Sequence, residues 1–194
     1  MSREIEIKLA LPDAATGRRL LRAAGFRVSK RRVLEVNTLF DTAEGALRGG
    51  ARMVRIREAG GKGLLTYKGP QATGKYKDRE ELEVGVTDPR RLSEILERLD
   101  FMPAFRYEKY RTEYGREHEK GVATVDETPI GVWLELEGAA GWIDRSAVRL
   151  GFSESDYSTA SYNGLYVAYC REHGVPVTHM TFGDAQAPIP KLSS

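Results

Sequence analysis

Residues 4–8 read Glu4-Ile5-Glu6-Ile7-Lys8, a strict alternation of charged and apolar side chains. Successive side chains of a β-strand point to opposite faces, so one face of this segment carries only ions and the other only isoleucine. A lone segment of this kind is typical of an antiparallel strand with one face in water. The meaning of the charged face therefore depends on whether other strands repeat it.

Six later segments repeat the alternation with full charges. Their charged positions are Arg55 and Arg57, Lys68, Glu81 and Glu83, Lys109 and Arg111, Asp126, and Glu135 and Glu137. An ordinary wet sheet face would also contain Thr, Ser, Gln and Asn, because nothing there requires ions. The seven segments predict an α+β fold, a closed antiparallel β-barrel with helices packed outside and charged side chains lining a tunnel.

The charges of this predicted tunnel favour one kind of ligand. Seven acidic and six basic residues leave it almost neutral, so a polyanion alone gains little net attraction. Clustered carboxylates bind hard divalent cations such as Mg²⁺ or Mn²⁺, whereas arginine and lysine bind phosphate oxygens. Both sets have partners if the ligand is a metal-bound chain of phosphates. Without such partners, burying so many charges would be costly.

The charged motifs follow one another in a fixed order over roughly residues 3–165: Glu-x-Glu-x-Lys, Arg-x-Arg, a lysine strand, Glu-x-Glu, Lys-x-Arg, an aspartate and a second Glu-x-Glu. This ordered set resembles the CYTH superfamily, the triphosphate tunnel metalloenzymes. Pro103-Ala104-Phe105, Glu108-Lys109-x-Arg111 and Ser161-Tyr162-x-x-Leu165 are most similar to the class IV adenylyl cyclase branch. Other branches hydrolyse inorganic tripolyphosphate, thiamine triphosphate or nucleoside triphosphates.

The resemblance implies a role for each charged residue. The implied metal ligands are Glu4, Glu6, Asp126, Glu135 and Glu137, and the implied phosphate-binding residues are Arg55, Arg57, Lys68, Lys109 and Arg111. Lys8 would lie beside the reacting group, and Arg57 and Arg111 would stabilise charge that develops there. Glu81 and Glu83 are weaker candidates for the metal, because carboxylates that face arginines also serve as structural counter-ions.

Two positions depart from the family pattern. Hydrolytic relatives carry a tyrosine that assists the motif lysine, whereas this chain reads Leu39-Phe40-Asp41-Thr42, and leucine cannot transfer a proton. Met53 stands where thiamine-triphosphatase relatives have an aromatic residue able to stack on the base. Thiamine triphosphate is therefore a less favoured substrate.

The resemblance leaves three functions open. The first expectation is metal-dependent hydrolysis of inorganic tripolyphosphate or a nucleoside triphosphate, with water as the attacking group. The alternative is a class IV adenylyl cyclase, in which the ribose 3′-hydroxyl of ATP attacks the α-phosphorus and gives cyclic AMP and pyrophosphate. The third is a non-catalytic polyphosphate-binding module, since Leu39 replaces the family tyrosine.

The composition indicates a single globular domain. The chain has 194 residues, 41% hydrophobic and 30% charged, and we expect a tunnel domain over 1–173. The tail over 174–194 is expected to be loosely ordered, or else to cap one mouth of the barrel with part of its length. A net charge of +2 with interleaved signs fits nucleic acid poorly, and no apolar run approaches the roughly 20 residues of a membrane span. With a solitary Cys170, these features predict a cytoplasmic protein. The small-molecule triphosphate partner is what the family resemblance implies. Homo-oligomerisation stays open.

Helices and one loop complete the sequence-based prediction. A helix is predicted from Asp13 to about Phe26, and a second begins at Asp88-Pro89, with apolar residues at helical spacing that we expect in the core. The loop Gly69–Asp78, which contains Lys75 and Lys77, is expected to be solvated or else to fold over a bound phosphate tail.

Overall fold

Eight antiparallel strands close into a barrel in the computed structural model, which describes residues 3–183. The strands are β1 Arg3–Leu11, β2 Arg27–Asp41, β3 Met53–Ala59, β4 Lys62–Lys68, β5 Lys77–Val86, β6 Met102–Gly115, β7 Val122–Thr128 and β8 Gly131–Glu137. Their order around the barrel is β1-β5-β4-β3-β2-β6-β7-β8, and β8 pairs with β1. The predicted fold class is confirmed.

Helices surround the barrel as the sequence indicates. They are α1 Ala14–Ala23, α2 Ala46–Gly49, α3 Pro89–Arg98, α4 Ala140–Arg149 and α5 Tyr162–His173. Asp13 and Asp88 cap α1 and α3, because their carboxylates accept hydrogen bonds from the backbone N–H groups of Thr16 and Arg91. Among residues 3–183, no helix combines the length and apolar character that a membrane crossing requires.

β2 is the strand that the sequence analysis did not count. It lies between β3 and β6, with Asn37 opposite Arg57 and Leu39 opposite Arg55. Its first half, residues 27–32, is exposed throughout and pairs with β6 through register shifts, so it shows no alternation of buried and exposed positions. Only from Glu35 onwards does β2 have an inner and an outer face.

The apolar faces of β1, β7 and β8 form the main core together with α1 and α4. Ile7, Leu9, Leu134, Leu136 and Ile143 are completely buried there. The helix α1 lies close against the barrel at Gly17, where an added Cβ would come within 2.6 Å of Leu11 Cδ1. Because the apolar side chains of these strands point outward into this core, their charged side chains point into the barrel.

α3 contributes less to the core than its apolar spacing predicts. Leu92 and Leu96 are half-buried, but Ile95 is 49% exposed and Leu99 is 61% exposed. The helix rests on the barrel near β3 and β6, so only one edge of its apolar stripe meets the sheet. The spacing identified the helix correctly, whereas the expectation that the whole stripe contacts the core is wrong.

The chain returns to the barrel after α5. Met180 is 1% exposed and pairs in parallel with β6: its N–H donates to Arg106 O over 3.0 Å, and its carbonyl accepts from the N–H of Glu108 over 2.8 Å. Residues 184–194, which belong to the predicted loosely ordered tail, lie outside the described residues.

Candidate active site

A cavity of about 510 Å³ enters the barrel, a volume usual for small-molecule sites. Eleven of the thirteen charged residues predicted to face the tunnel line it: Glu4, Glu6, Lys8, Arg55, Arg57, Glu81, Glu83, Lys109, Arg111, Glu135 and Glu137. Lys68 and Asp126 do not line it. Both are buried and hold neighbouring charged side chains instead.

Three carboxylates form a cluster on one side of the cavity. Glu4 and Glu6 project from β1, and Glu137 projects from β8 directly opposite Glu6 in the strand register. One carboxylate oxygen of each lies within 4.8 Å of those of the other two. This set of hard oxygen donors, brought by two adjacent strands, fits a divalent metal ion such as Mg²⁺ or Mn²⁺.

Glu137 shows that this cluster carries an excess of negative charge. Partial desolvation and the neighbouring carboxylates of Glu4 and Glu6 together raise the pKa of Glu137 to about 7, although part of the side chain is exposed. No basic side chain among residues 3–183 lies within ion-pair distance of it. An added cation would therefore be favourable at this position.

Asp126 belongs to a different network on the opposite side of Glu135. It is fully buried and accepts hydrogen bonds from Lys109 Nζ over 2.7 Å, Arg111 Nε over 2.7 Å and Tyr162 OH over 2.6 Å. Arg111 also contacts Glu135. The structure thus does not bring Asp126 to the carboxylate cluster, and its position is that of a counter-ion that orients two bases.

Lys8 lies between the two sets of acids. Its Nζ is 3.0 Å from Glu6 Oε1 and 3.1 Å from Glu135 Oε1, and it stands 5.1 Å from the centre of the Tyr162 ring. Burial by itself would lower the pKa of Lys8, but the two carboxylates outweigh burial and hold that pKa above its usual value. Lys8 is therefore a charged ammonium group in this cavity.

Arg55 and Arg57 form the basic wall on β3. Arg55 Nη1 donates to Tyr107 OH over 3.2 Å, and Nη2 donates to Thr66 Oγ1 over the same distance. Arg57 Nε donates to Asn37 Oδ1 over 3.2 Å. These hydrogen bonds orient both guanidinium groups. The nearest carboxylates, Glu83 and Glu35, lie 3.7 Å from Arg55 and 3.5 Å from Arg57, so both guanidinium groups keep N–H donors for an anion.

Glu35 and Asn37, on the neighbouring strand β2, contact this basic wall and were missed in the sequence analysis. Glu35 is buried, 3.5 Å from Arg57 Nη1 and 3.6 Å from Lys109 Nζ. Its burial would raise the pKa, but Lys109, Arg111 and the β3 arginines lower it to about 2. The alternation Glu35-x-Asn37-x-Leu39 was the available signal for this inner face.

Lys77 and Arg79 were also missed, at the start of β5. Lys77 Nζ contacts Glu6 Oε1, and Arg79 Nε donates to Glu4 Oε2 over 3.2 Å. Lys77 is only 5% exposed, so the expectation of a solvated loop is wrong at this residue. Burial lowers the pKa of Lys77 to about 8, against the opposing effect of Glu6. Extending the Glu81-x-Glu83 alternation backwards by four residues would have included both bases.

The remaining lysine and acids of the predicted set are paired. Lys68 contacts Glu4 and lies 2.8 Å from Glu81 Oε1. Glu83 accepts a 2.8 Å hydrogen bond from Thr66 Oγ1 and lies 3.7 Å from Arg55. Glu81 and Glu83 are therefore placed as counter-ions that also line the cavity.

Apolar side chains line the cavity as well as charged ones. They include Leu39, Met53, Phe105, Val167 and Val177. The two departures from the family pattern thus both face the cavity, and Leu39 lies on the inner face of β2 rather than in the outer core.

The barrel with its carboxylate cluster, basic wall and enclosed cavity is the architecture of a triphosphate tunnel. The CYTH domain model matches residues 2–143, and the chain belongs to the CYTH domain family. Proteins of this family are triphosphatases or adenylyl cyclase-like enzymes and depend on metal ions, so the expectation of an enzyme is confirmed.

Named relatives agree with this assignment. A Methanocaldococcus jannaschii protein, "Putative adenylate cyclase MJ0240", is 31% identical over 135 residues, covering 69% of this chain and 75% of that protein. The structure of PH1012 from Pyrococcus horikoshii has a TM-score of 0.71 at 22% identity and covers 82% of this chain and 96% of its own. The Hippeastrum "Putative adenylyl cyclase HpAC1", with a dominant triphosphatase activity, has a TM-score of 0.62 at 23% identity over 90% of this chain and 97% of its own.

Proposed function

We propose that this protein is a divalent-metal-dependent triphosphatase that binds inorganic tripolyphosphate or a nucleoside triphosphate in its tunnel. One observation carries the proposal: a cluster of three carboxylates and a wall of arginines and lysines line the same 510 Å³ cavity. A phosphate chain alone would meet acids, and a metal ion alone would meet bases. A complex of the metal ion with the phosphate chain provides a partner for the carboxylates and for the basic side chains.

The lining residues have different roles according to their positions in the cavity. Glu4, Glu6 and Glu137 hold Mg²⁺ or Mn²⁺, and Glu135 lies next to them. The phosphate-binding residues are Arg55, Arg57, Lys109 and Arg111, whose side chains line the opposite part of the cavity. The bound metal supplies charge neutralisation on phosphate oxygens. Asp126 and Lys68 act as positioning residues, because each is buried behind side chains that line the cavity.

Lys8 contributes a positive charge at the junction of the two halves. Its ammonium group is held by Glu6 and Glu135, so it stabilises negative charge on the transferred group instead of accepting a proton. The dominant triphosphatase activity of the Hippeastrum neighbour supports hydrolysis as the first function.

A class IV adenylyl cyclase is the second candidate. The apolar side chains in the cavity lining, which include Leu39, Met53, Phe105, Val167 and Val177, are the kind of surface on which a nucleoside could pack. The name of the Methanocaldococcus jannaschii relative supports this candidate. Cyclisation would use the same metal and basic wall with the ribose 3′-hydroxyl as the attacking group.

Product identification tests the proposal. Purified protein is incubated with tripolyphosphate or ATP, in Mg²⁺, in Mn²⁺ and in excess chelator, and phosphorus-containing products are identified. Metal-dependent orthophosphate release is the expected result, and cyclic AMP with pyrophosphate from ATP would establish the cyclase instead. Tight metal-dependent binding without any product would indicate a polyphosphate-binding module. Absence of both binding and turnover would overturn the proposal.

A further inference from the structure

Lys77 forms an ion pair with one of the carboxylates proposed to bind metal. It is the first residue of β5, where the chain enters the barrel from the loop after β4, and its side chain is almost fully buried. Its ammonium contacts Glu6 Oε1, the same oxygen that accepts a 3.0 Å hydrogen bond from Lys8. One carboxylate oxygen therefore serves two ammonium groups.

This arrangement conflicts with a metal ion on Glu6. Mg²⁺ binds carboxylate oxygens at about 2.0–2.1 Å, so a metal ion on Glu6 would lie within a few ångströms of the Lys77 ammonium. A dication and an ammonium at that separation repel each other strongly in a partly desolvated cavity. One of the two has to leave Glu6.

Lys77 is the cation best placed to move. Lys8 has a second acid, Glu135, and its backbone N–H and carbonyl are both bonded to Ser158. In the described part of the chain, Glu6 is the one carboxylate within ion-pair distance of Lys77. Lys77 also lines the cavity, so an ammonium released from Glu6 stays beside the bound substrate.

We propose that Lys77 is an internal counter-ion that exchanges partners on binding. It neutralises Glu6 in the metal-free protein, and it moves to a phosphate oxygen of the substrate when a divalent ion takes Glu6. This inference rests on the proposed function and deepens it. Metal and triphosphate then bind cooperatively, because the metal displaces Lys77 from Glu6 and the triphosphate gives Lys77 a new partner. Metal alone has to leave Lys77 buried without a partner.

The neighbouring Lys75 provides a matched control. Lys75 lies two residues before Lys77, in the loop that leads into β5, and carries the same charge. Its ammonium is 3.1 Å from Asp144 and 2.8 Å from Glu154, outside the cavity. Substituting either lysine by methionine removes one positive charge. Only the change at Lys77 removes the competitor on Glu6.

The test measures Mn²⁺ binding directly by the electron paramagnetic resonance signal of the free ion. Wild type, Lys77→Met, Lys77→Gln, Lys77→Arg and Lys75→Met are titrated alone and with a methylene-bridged, non-hydrolysable tripolyphosphate analogue, with correction for Mn²⁺ bound by the analogue itself. Without the analogue, we expect Lys77→Met and Lys77→Gln to bind Mn²⁺ at least about tenfold more tightly than wild type. Lys77→Arg and Lys75→Met should remain within about threefold of it.

The analogue should tighten Mn²⁺ binding strongly in wild type and much less in the two neutral variants. Lys77→Gln keeps a hydrogen-bond donor for Glu6, so it gives a folded neutral variant even where methionine disturbs packing, and melting curves check this. Unchanged or weaker Mn²⁺ binding in the folded neutral variants would overturn the inference. Failure of wild type to bind Mn²⁺ even with the analogue would instead contradict the proposed function.

Discussion

The position of Lys8 between Glu6 and Glu135 determines which role this residue can take. Two carboxylates at 3.0 and 3.1 Å stabilise the ammonium form, and a lysine that stays protonated cannot accept a proton from water. Its contribution has to come from charge placed near the reacting group.

Substitutions at Lys8 separate these roles. Arginine keeps a positive charge but is not deprotonated in proteins, whereas methionine removes the charge. Lys8→Met should lower kcat/KM by about 10²–10³-fold, the usual cost of losing one electrostatic contact to the developing charge. Lys8→Arg should retain at least about tenfold more activity than Lys8→Met, measured as metal-dependent phosphate release. Equal inactivity of the two folded variants would indicate a base.

Glu137 offers a test of the metal site that breaks no ion pair found within residues 3–183. Glu137→Gln removes a ligand charge and almost no volume, so Mn²⁺ binding should fall by about tenfold or more while the melting temperature does not decrease. Glu81→Gln is the control, because Glu81 also lines the cavity but pairs with Lys68. Equal loss of Mn²⁺ binding in both variants would show that general cavity charge, and not a defined ligand set, attracts the metal.

Glu35 links the basic wall to the stability of the fold. Its pKa is lowered from 4.5 to about 2, so its ionised form stabilises the folded state fully above about pH 4.5, and this stabilisation is lost as pH falls towards 2. The contribution is about 3 kcal/mol near neutral pH by linkage. Glu35→Gln should therefore reduce the free energy of unfolding at pH 7, and the difference from wild type should shrink to less than half as the pH falls to 3.

Denaturant titrations at several pH values check the Glu35 prediction. Glu113→Gln is a suitable comparison, because Glu113 pairs with the exposed Lys30 at 3.0 Å and such surface pairs contribute little. A constant difference between Glu35→Gln and wild type from pH 7 to pH 3 would contradict the assignment.

At the level of elements, alternation predicted the strands that have one buried and one charged face. β1, β3 and β8 could be identified in this way, because successive side chains of a strand point to opposite faces. β2 could not, since its first half is exposed on both sides and register shifts occur before Val33 and again between Leu39 and Phe40. In the sequence, only the short alternation Glu35-x-Asn37-x-Leu39 indicates the face that Leu39 occupies.

The charged lining of β5 was recognised only in part. Glu81 and Glu83 were identified, whereas Lys77 was assigned to the glycine-containing loop Gly69–Asp78 and Arg79, which follows that loop, was not considered. The position of a residue in a strand predicts the face on which its side chain lies. Which side chains from other strands it contacts depends on how the barrel closes. Asp126 therefore was predicted to face the tunnel and is found behind Lys109 and Arg111.

The first residue of α5, Tyr162, links this helix to the charged network of the barrel through a hydrogen bond. Tyr162 OH donates to Asp126 Oδ2 over 2.6 Å, and Tyr162→Phe would remove one of the hydrogen bonds that stabilise this buried carboxylate. The free energy of unfolding should fall by about 1.5–3 kcal/mol, as for hydrogen bonds to charged groups. Tyr166→Phe, which loses a neutral 3.2 Å contact with Thr178, should cost less in the same denaturant titration. An equal or smaller cost for Tyr162→Phe would contradict a stabilising role of this hydroxyl.

At the level of the whole molecule, closure of the barrel places the carboxylate cluster and the arginine pair on different strands around one cavity. The acids come mainly from β1 and β8, and the arginine pair comes from β3 on the far side of the ring. Each ligand alone therefore leaves one half of the site unsatisfied. The metal ion and the polyphosphate neutralise each other only when both are bound.

Joint binding should be visible in the thermal stability of the protein. A ligand that binds only the folded state stabilises it by RT ln(1 + L/Kd), where L is the free ligand concentration, so the melting temperature rises as that concentration exceeds the Kd. We expect the preformed Mn²⁺ complex of the methylene-bridged tripolyphosphate analogue to raise the melting temperature by more than the sum of the shifts from Mn²⁺ and analogue measured separately at the same free concentrations. In Glu137→Gln the excess should disappear, because the analogue still finds the basic wall but the metal lacks a ligand. Purely additive shifts in wild type would mean that metal and phosphates bind independently, and a shared site would then be wrong.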